Sequence, residues 1–166
     1  MDPLSQGLLG LGFAASFAKK ENIKLAAFCG AIGGMSPDLD VFIKSSVDSL
    51  LAIEYHRHFT HSIFFIPIGG LLVSMFLWLF LRNKASFKAI YLYSTIGVAT
   101  HGILDALTSY GTRPYWPLSN ERVTWSAIAI IDPLFTVPLL ILSAIAVRFR
   151  SLVTARVGVA IAVTYL

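Results

Sequence analysis

Three of the four histidines lie within six residues of one another. His56, His58 and His61 fall in the segment HRHFTHS, just before residues 63 to 81, a run without any charged side chain. A single histidine at a membrane boundary is typical of an interfacial or core residue, but neutral imidazole is also a favoured ligand of zinc and related metals. Three imidazoles this close together favour a metal site, and we predict that at least two of them bind an ion.

A second polar pair interrupts a later apolar run. His101 and Asp105 are four residues apart in HGILDALTSYG, so on a helix they share one face. Ionisable groups within a hydrophobic segment are costly and usually face a partner or a cavity. The pair can contribute to a metal site, or it can form a buried hydrogen bond that holds two helices together.

The segment SPDLD supplies two more carboxylates. Ser36, Pro37 and Asp38 have the residue types that begin a helix, with a cap, a proline and an early acidic residue. Asp38 and Asp40 are two apart, so on a regular helix they diverge. We therefore expect one to bind the ion and the other to support a ligand, unless an irregular turn brings both to the site.

Three further residues are candidates for catalytic roles. Asp132 precedes Pro133 in IIDPLF, a pattern typical of a helix start, and a role as proton acceptor is the alternative to capping. Arg57 and Arg113 could clamp an anionic group, because a guanidinium matches phosphate in a bidentate fashion. The aromatic residues around Arg113 also fit a belt at the membrane interface.

The composition indicates an integral membrane protein. Hydrophobic residues make up 56% of the 166 residues and charged residues 13%, and the mean hydropathy is +0.73. This length accommodates a single membrane-embedded domain, residues 1 to 166, without a separate soluble domain. The lone cysteine, Cys29, allows no internal disulfide and is expected in the core.

Apolar runs predict an all-α fold with four to five membrane-embedded helices. They cover residues 4 to 18, 23 to 35, 63 to 81, 89 to 107, 126 to 147 and 157 to 166. The first two would cross only about two thirds of a 30 Å hydrocarbon core, so a short hairpin is expected there. The glycine-rich pieces AIGGM and PIGGLL fit no nucleotide-binding spacing and favour close helix packing.

Basic residues predict the orientation. Four fall on one set of alternate connections, and nine fall on the other set: Lys19, Lys20, Lys24, Arg82, Lys84, Lys88, Arg148, Arg150 and Arg156. The richer side is expected to face the cytoplasm, which places the N-terminus and residues 36 to 62 and 108 to 125 outside. All the candidate site residues map to that outer side. This scattered charge does not favour nucleic-acid binding.

Five segments together resemble a known family. MDPLSQGLLG, SPDLD, HRHFTHS, HGILDALTSYGTRPYWPLS and IIDPL, in this order, are similar to membrane-bound, metal-dependent hydrolases related to the bacterial inner-membrane protein YdjM. The resemblance implies an inner-membrane protein with several spans, distantly grouped with zinc-dependent phospholipase C and with zinc-cluster single-strand nucleases. The matching polar residues are Asp38, Asp40, His56, Arg57, His61, His101, Asp105 and Asp132.

Two positions depart from that family pattern. Gln6 stands where family members often carry a histidine, and His58 stands where a small residue is common. One imidazole is therefore missing where another has been gained. This suggests the hypothesis that His58 compensates for Gln6.

The leading expectation is a hydrolase with one to three divalent ions. Mixed imidazole and carboxylate ligands suit Zn²⁺, and Mn²⁺ or Fe²⁺ are also compatible. The candidate ligands are Asp38, His56, His58, His61, His101 and Asp105. The metal would activate a water molecule, Asp40 or Asp132 would accept its proton, and Arg57 or Arg113 would offset charge on a phosphate. A site at headgroup depth favours an amphiphilic substrate such as a phospholipid or a polyprenyl phosphate.

Two other classes of function are alternatives. The cluster could be a non-catalytic metal or polar site that joins helices or passes ions, although no paired inverted segments favour transport. Intramembrane proteolysis is disfavoured, because the sequence has no H-E-x-x-H pattern and the nearest glutamate to the histidines is Glu54. Substrate, number of metals and oligomeric state stay open.

Overall fold

The computed structural model describes residues 1 to 43 and 56 to 166, and these residues are all-α as predicted. Lys44 and Glu54 lie outside the described residues. Those described form six α-helices and no strand. The helices are α1 (Pro3–Ser16), α2 (Ile23–Met35), α3 (Ile66–Leu81), α4 (Phe87–Ala106), α5 (Pro133–Phe149) and α6 (Leu152–Tyr165).

Side-chain caps set where several helices begin. The carboxylate of Asp2 accepts a hydrogen bond from the backbone of Ser5 at the start of α1. Asp132 accepts from the backbone nitrogens of Leu134 and Phe135, so its predicted capping role is confirmed. The helix therefore starts seven residues later than the apolar run that begins at residue 126. Residues 126 to 132 instead follow an extended path along the end of α4.

The segment from Ser36 to Phe42 corrects the expected helix start. It continues from α2 as a 3₁₀ helix, and the Ser36 hydroxyl donates back to the carbonyl of Gly33 rather than capping a new α-helix. Two more 3₁₀ turns, Phe59–His61 and Ile63–Phe65, lead into α3. Irregular backbone thus carries both SPDLD and HRHFTHS.

Glycines allow the helices that carry the site to approach closely. A Cβ atom added to Gly30 would overlap the backbone of Gly10 in α1, and one added to Gly33 would overlap the backbone of Ser94 in α4. A Cβ on Gly70 would likewise meet Thr95. The prediction that AIGGM and PIGGLL serve helix packing is confirmed. Cys29 is buried in the same core, as expected.

One helix within the described residues is long and apolar enough to cross a membrane. It covers the 19 residues Ile63–Leu81, in which α3 is preceded by its 3₁₀ turn. The first two helices are short, as predicted, with 14 and 13 residues. The apolar helices α5 and α6 have 17 and 14 residues. The number of spans, four to five, stays a prediction.

The order of the helices brings the candidate residues to one end of the bundle. That end holds the start of α1, the end of α2, the start of α3, the end of α4 and the start of α5. The nine basic residues that predict the cytoplasmic side lie in or beside the connections at the other end, between α1 and α2, α3 and α4, and α5 and α6. The polar end is therefore assembled from separate stretches of the chain.

Candidate metal centre

Four side chains meet at the polar end and point one atom each toward a common position. They are Asp38, His61, His101 and Asp105, and their ligand atoms all lie within 4.8 Å of one another. The two Nε2 nitrogens are 2.9 Å apart, and each lies 3.2 to 3.7 Å from Asp38 Oδ1 and Asp105 Oδ2. At a metal–ligand distance of about 2.0 to 2.1 Å, the corners of a tetrahedron are about 3.3 Å apart. The spacing fits one small ion.

Hydrogen bonds on the far side of each imidazole fix which nitrogen faces that position. His101 Nδ1 lies 2.5 Å from the carbonyl oxygen of Gly34, which can only accept, so Nδ1 carries a proton. The hydroxyl of Thr60 donates to Asp40 at 2.6 Å and therefore accepts from His61 Nδ1 at 2.9 Å. In the neutral form both Nε2 lone pairs then face each other. A cation between them removes that repulsion.

Two carboxylate oxygens without hydrogen-bond donors also favour a bound ion. Asp38 Oδ1 and Asp105 Oδ2 are buried and accept no hydrogen bond within the described residues. Buried polar atoms are almost always satisfied, and an orphaned one calls for an explanation such as a bound ion or water. Both oxygens face the two imidazoles. The donor set of two imidazoles and two carboxylates therefore fits a divalent metal.

Asp105 is held by contacts on its other oxygen. Oδ1 accepts hydrogen bonds from the amino group of Met1 and from Gln6 Nε2, the latter at 2.9 Å. The guanidinium of Arg57 lies with Nε 3.2 Å from Oδ2, and its Nη1 has no hydrogen-bond partner within the described residues. Gln6 is fully buried and contacts Asp105 where the family's histidine is expected. The Gln6 amide thus orients the Asp105 carboxylate through the oxygen that does not face the imidazoles.

Asp38 is the most accessible member of the cluster. Its side chain is 19% exposed, whereas the side chains of His61, His101 and Asp105 are fully buried. Burial alone would raise the pKa of Asp38, but the neighbouring imidazoles of His101 and His61 outweigh burial and hold this pKa well below its usual value. The carboxylate is therefore ionised and ready to bind a cation, and the cluster opens on its side.

Asp40 supports the loop that carries the histidines. It is buried and accepts from the backbone nitrogen of Arg57 at 2.9 Å, from Thr60, and from His56 Nδ1 at 2.7 Å. Arg57 sits in the left-handed backbone region, at a φ of 61°. These contacts place Asp40 behind His61, as expected for the aspartate that does not bind the ion.

A second group of possible ligands adjoins the first. Asp38, Asp40 and His56 each offer an atom within 4.8 Å of the others. Here, however, Asp40 and His56 already bond to each other, and both oxygens of Asp40 have donors. His56, a predicted ligand, is thus close to the site, but its partner Asp40 has no unsatisfied oxygen like those of the first group.

Three predicted residues belong to neither group of possible ligands within the described residues. His58 packs with its ring 5.6 Å from that of Trp116 and belongs to neither group of possible ligands within the described residues. Asp132 caps α5 and accepts from the hydroxyl of Tyr165 at 3.0 Å. Arg113 is half-buried in the connection after α4. Their predicted roles in ligation or catalysis gain no support from these contacts.

Sequence reasoning missed three supporting groups. They are the hydroxyl of Thr60, the carbonyl of Gly34 and the ring of Tyr110, over which Arg57 stacks at 4.7 Å. Thr60 could have been suspected, because it directly precedes a candidate ligand and can bond its ring. The carbonyl of Gly34 carried no such signal, since any residue type supplies a carbonyl.

The fold and the site define a small helical protein with one helix long and apolar enough to cross a membrane and a buried histidine and aspartate cluster that could hold a metal ion. Membership follows from comparison with known proteins. The chain belongs to the YdjM inner membrane protein family, whose model matches residues 1–166. The resemblance drawn from the five segments is thereby confirmed.

Two relatives illustrate the family's range. Inner membrane protein YbcI of Escherichia coli (strain K12) is 31% identical over 110 residues, which cover 62% of this chain and 61% of YbcI. The Bacillus subtilis (strain 168) protein named "Uncharacterized protein YfhP" is 31% identical over 101 residues, 61% of this chain and 30% of YfhP. Each match thus spans less than two thirds of the relative, and neither name states an activity. No solved structure matches the chain.

Proposed function

We propose that this protein is a membrane-bound, metal-dependent hydrolase that acts on a phosphoester. The observation that carries the proposal is the convergence of two imidazole nitrogens and two orphaned carboxylate oxygens on one buried position. A site that served only to join helices through hydrogen bonds would pair these atoms with donors. Zn²⁺ is the ion that suits the ligands best, and Mn²⁺ or Fe²⁺ is also compatible.

The residues divide into ligands and reacting groups according to exposure. His61, His101 and Asp105 are fully buried and would hold the ion, a set of two imidazoles and one carboxylate that occurs in zinc hydrolases. A bound divalent ion lowers the pKa of a water molecule toward 7 and polarises a phosphoryl oxygen. Asp38, at the open corner, would hold the attacking water in position by accepting a hydrogen bond from it.

Arg57 is placed to bind the substrate's phosphate. Its guanidinium is buried beside Asp105, and Nη1 has no partner within the described residues. A buried, unsatisfied guanidinium donor favours an anionic group next to the ion. Charge that develops on the phosphate during hydrolysis would be stabilised there.

An amphiphilic phosphate in the membrane is the favoured substrate class. The cluster lies beside the start of the helix that is long enough to cross a bilayer. The excess of basic residues at the other end supports an orientation with several spans and the site on the extracytoplasmic side of the inner membrane. A phospholipid or polyprenyl phosphate would present its phosphate at that depth.

A structural metal site is the second candidate, and the count of donors favours it. Four protein ligands close a tetrahedral site, whereas catalytic zinc usually keeps a position for water. If Asp38 binds the ion as firmly as the other three residues do, the ion joins α2, α4 and the loop before α3. The two candidates therefore differ in the role of Asp38.

The substitution Asp38→Asn separates them. The protein is purified without chelator, metal per chain is counted, and hydrolysis of phosphatidyl and prenyl phosphate lipids is followed with and without EDTA. A hydrolase shows EDTA-sensitive turnover, and Asp38→Asn keeps its metal but loses most of its rate. Stoichiometric metal with no turnover, combined with loss of metal in Asp38→Asn, would establish the structural site instead.

A further inference from the structure

An apolar groove lies along α3, the helix long and apolar enough to cross a membrane, and ends close to the candidate metal centre. It has a volume of about 380 Å³ and lies between α2, the 3₁₀ helix Ser36–Phe42 and α3. Ile32, Leu72, Val73 and Phe76 line its apolar length, and Asp40 and Thr60 lie at its polar end. Its volume is at the lower end of the range of small-molecule sites, enough for one hydrocarbon chain.

The polar end of the groove is one hydrogen bond away from the cluster. Thr60 Oγ1 contacts both Asp40 Oδ2 and His61 Nδ1, and His61 is a candidate ligand. Pro37 also lines the groove and directly precedes Asp38. A molecule that fills the groove therefore ends behind the His61 ring and next to the segment that carries Asp38.

The exposure of the cluster points to the same side. Asp38 is the one member with an accessible side chain, and its neighbours Pro37 and Leu39 are both groove residues. A substrate head that reaches the cluster past Asp38 would leave its tail along this groove. The geometry thus places an apolar tail position next to the segment whose Asp38 is the accessible member of the cluster.

We propose that the groove holds one hydrocarbon chain of a membrane lipid whose phosphate head lies at the Asp38 side of the cluster. This rests on the proposed function and specifies its substrate: the chain is recognised along α3 and the phosphate by the cluster and Arg57. A lipid is the occupant because the groove wall belongs to the helix that can cross a bilayer, with Leu72 and Phe76 more than half exposed. Lipid tails are the apolar molecules that such a surface meets.

The test uses a photoreactive alkyl phosphate with a diazirine midway along its chain. The metal-loaded protein is reconstituted into lipid nanodiscs, irradiated with the probe, and its cross-linked residues are mapped by mass spectrometry. Cross-links are expected at Ile32, Leu72 and Phe76. Excess dodecyl phosphate should compete for them, and excess dodecanol, which has the chain without the phosphate, should not.

A matched pair of variants tests the groove itself. Leu72→Trp places a larger side chain in the groove, whereas Leu71→Trp makes the same change at an exposed neighbour outside its lining. Overfilling should lower the competed cross-linking roughly tenfold in Leu72→Trp and leave it unchanged in Leu71→Trp. Competition by dodecyl phosphate in the unaltered chain tests the groove even if neither variant folds.

Cross-links spread evenly over the exposed face of α3, including Leu71 and Leu79, and insensitive to dodecyl phosphate would overturn the proposal. That outcome leaves the hydrolase intact if turnover is EDTA-sensitive. Conversely, the protein could show cross-linking at the groove that dodecyl phosphate competes away, but no turnover. That result would contradict the proposed hydrolysis and support the lipid site. The two proposals therefore fail by different observations.

Discussion

The two groups of possible ligands that share Asp38 differ in how their carboxylates are satisfied. In the group with His61, His101 and Asp105, two carboxylate oxygens have no hydrogen-bond donor among the described residues. In the group with Asp40 and His56, Asp40 accepts from a ring, a hydroxyl and a backbone nitrogen. Both groups are equally compact, since each fits within 4.8 Å.

Proximity alone therefore does not identify an ion site. A carboxylate already surrounded by donors gains little from a cation, because binding would break existing hydrogen bonds. A buried oxygen that accepts no hydrogen bond has none to lose, so it gains more from a cation. We therefore expect one tightly bound ion, at the first group, with the second group acting as its support. Four substitutions test this contrast.

The largest effect is expected from Asp105→Asn. The amide removes a charged ligand from the first group, and metal affinity should fall by more than about a hundredfold, beyond the loss typical of supporting residues. Hydrolysis should disappear with the metal. Metal content is measured by elemental analysis after dialysis, and circular dichroism checks that the helices are retained. Full metal retention in this variant would break the assignment of the first group.

Thr60→Val should have the next largest effect. The variant removes the hydroxyl that links His61 Nδ1 to Asp40, so the ring loses the contact that fixes its tautomer. Metal affinity is expected to fall about tenfold, as for other supporting residues of metal ligands. Thr60→Ser keeps the hydroxyl and serves as the control. Competition titration with a chelating dye measures both, and equal affinities for the two variants would argue against the relay.

His56→Ala should change metal binding by less than about threefold, because Asp40 keeps two donors and the first group is untouched. Loss of its hydrogen bond to Asp40 should reduce stability by about 1 kcal/mol. Metal stoichiometry and thermal unfolding measure the two effects. A drop from two ions per chain to one would mean that the second group also binds metal, and the contrast would fail.

The smallest effect is expected from His58→Ala. His58 packs against Trp116 and is absent from both groups of possible ligands within the described residues, so metal content should stay unchanged. Elemental analysis of this variant tests the hypothesis that His58 compensates for Gln6. Loss of metal in His58→Ala, with His56→Ala unaffected, would restore that hypothesis and require a different arrangement of the loop.

Much of the fold could be read from hydrophobic periodicity and local capping. The all-α class and the bounds of α2 were predicted closely, because apolar runs and helix starts are local properties. The start of α5 was placed too early, since the apolar residues 126 to 132 look like helix until the cap at Asp132 is given weight. Their extended path depends on backbone hydrogen bonds from Ala127 and Ile128 to the carbonyl of Leu107, which no local pattern reveals.

The residue types of the candidate site could be predicted from the sequence, but the role of each residue could be predicted less well. The six predicted ligands included His61, His101, Asp38 and Asp105, which the structure brings together, but also His56 and His58. The sequence could not separate His61 from His58, which is only three residues earlier, because a 3₁₀ turn rather than an α-helix carries them. The spacing of Asp38 and Asp40 left open which one faces the site, and the choice of Asp38 as the candidate ligand agrees with the first group.

The sequence by itself determined that this chain forms apolar helices whose costly imidazoles and carboxylates gather at one end. That follows from composition and from the alternation of charged connections, which are properties of the chain read in order. The tertiary structure alone decided which atoms remain without donors. Gly34 and Thr60 accept hydrogen bonds from the two imidazoles, and Gln6 donates one to Asp105. These three residues belong to separate segments, so the contacts exist only once the glycine-lined helices have packed together.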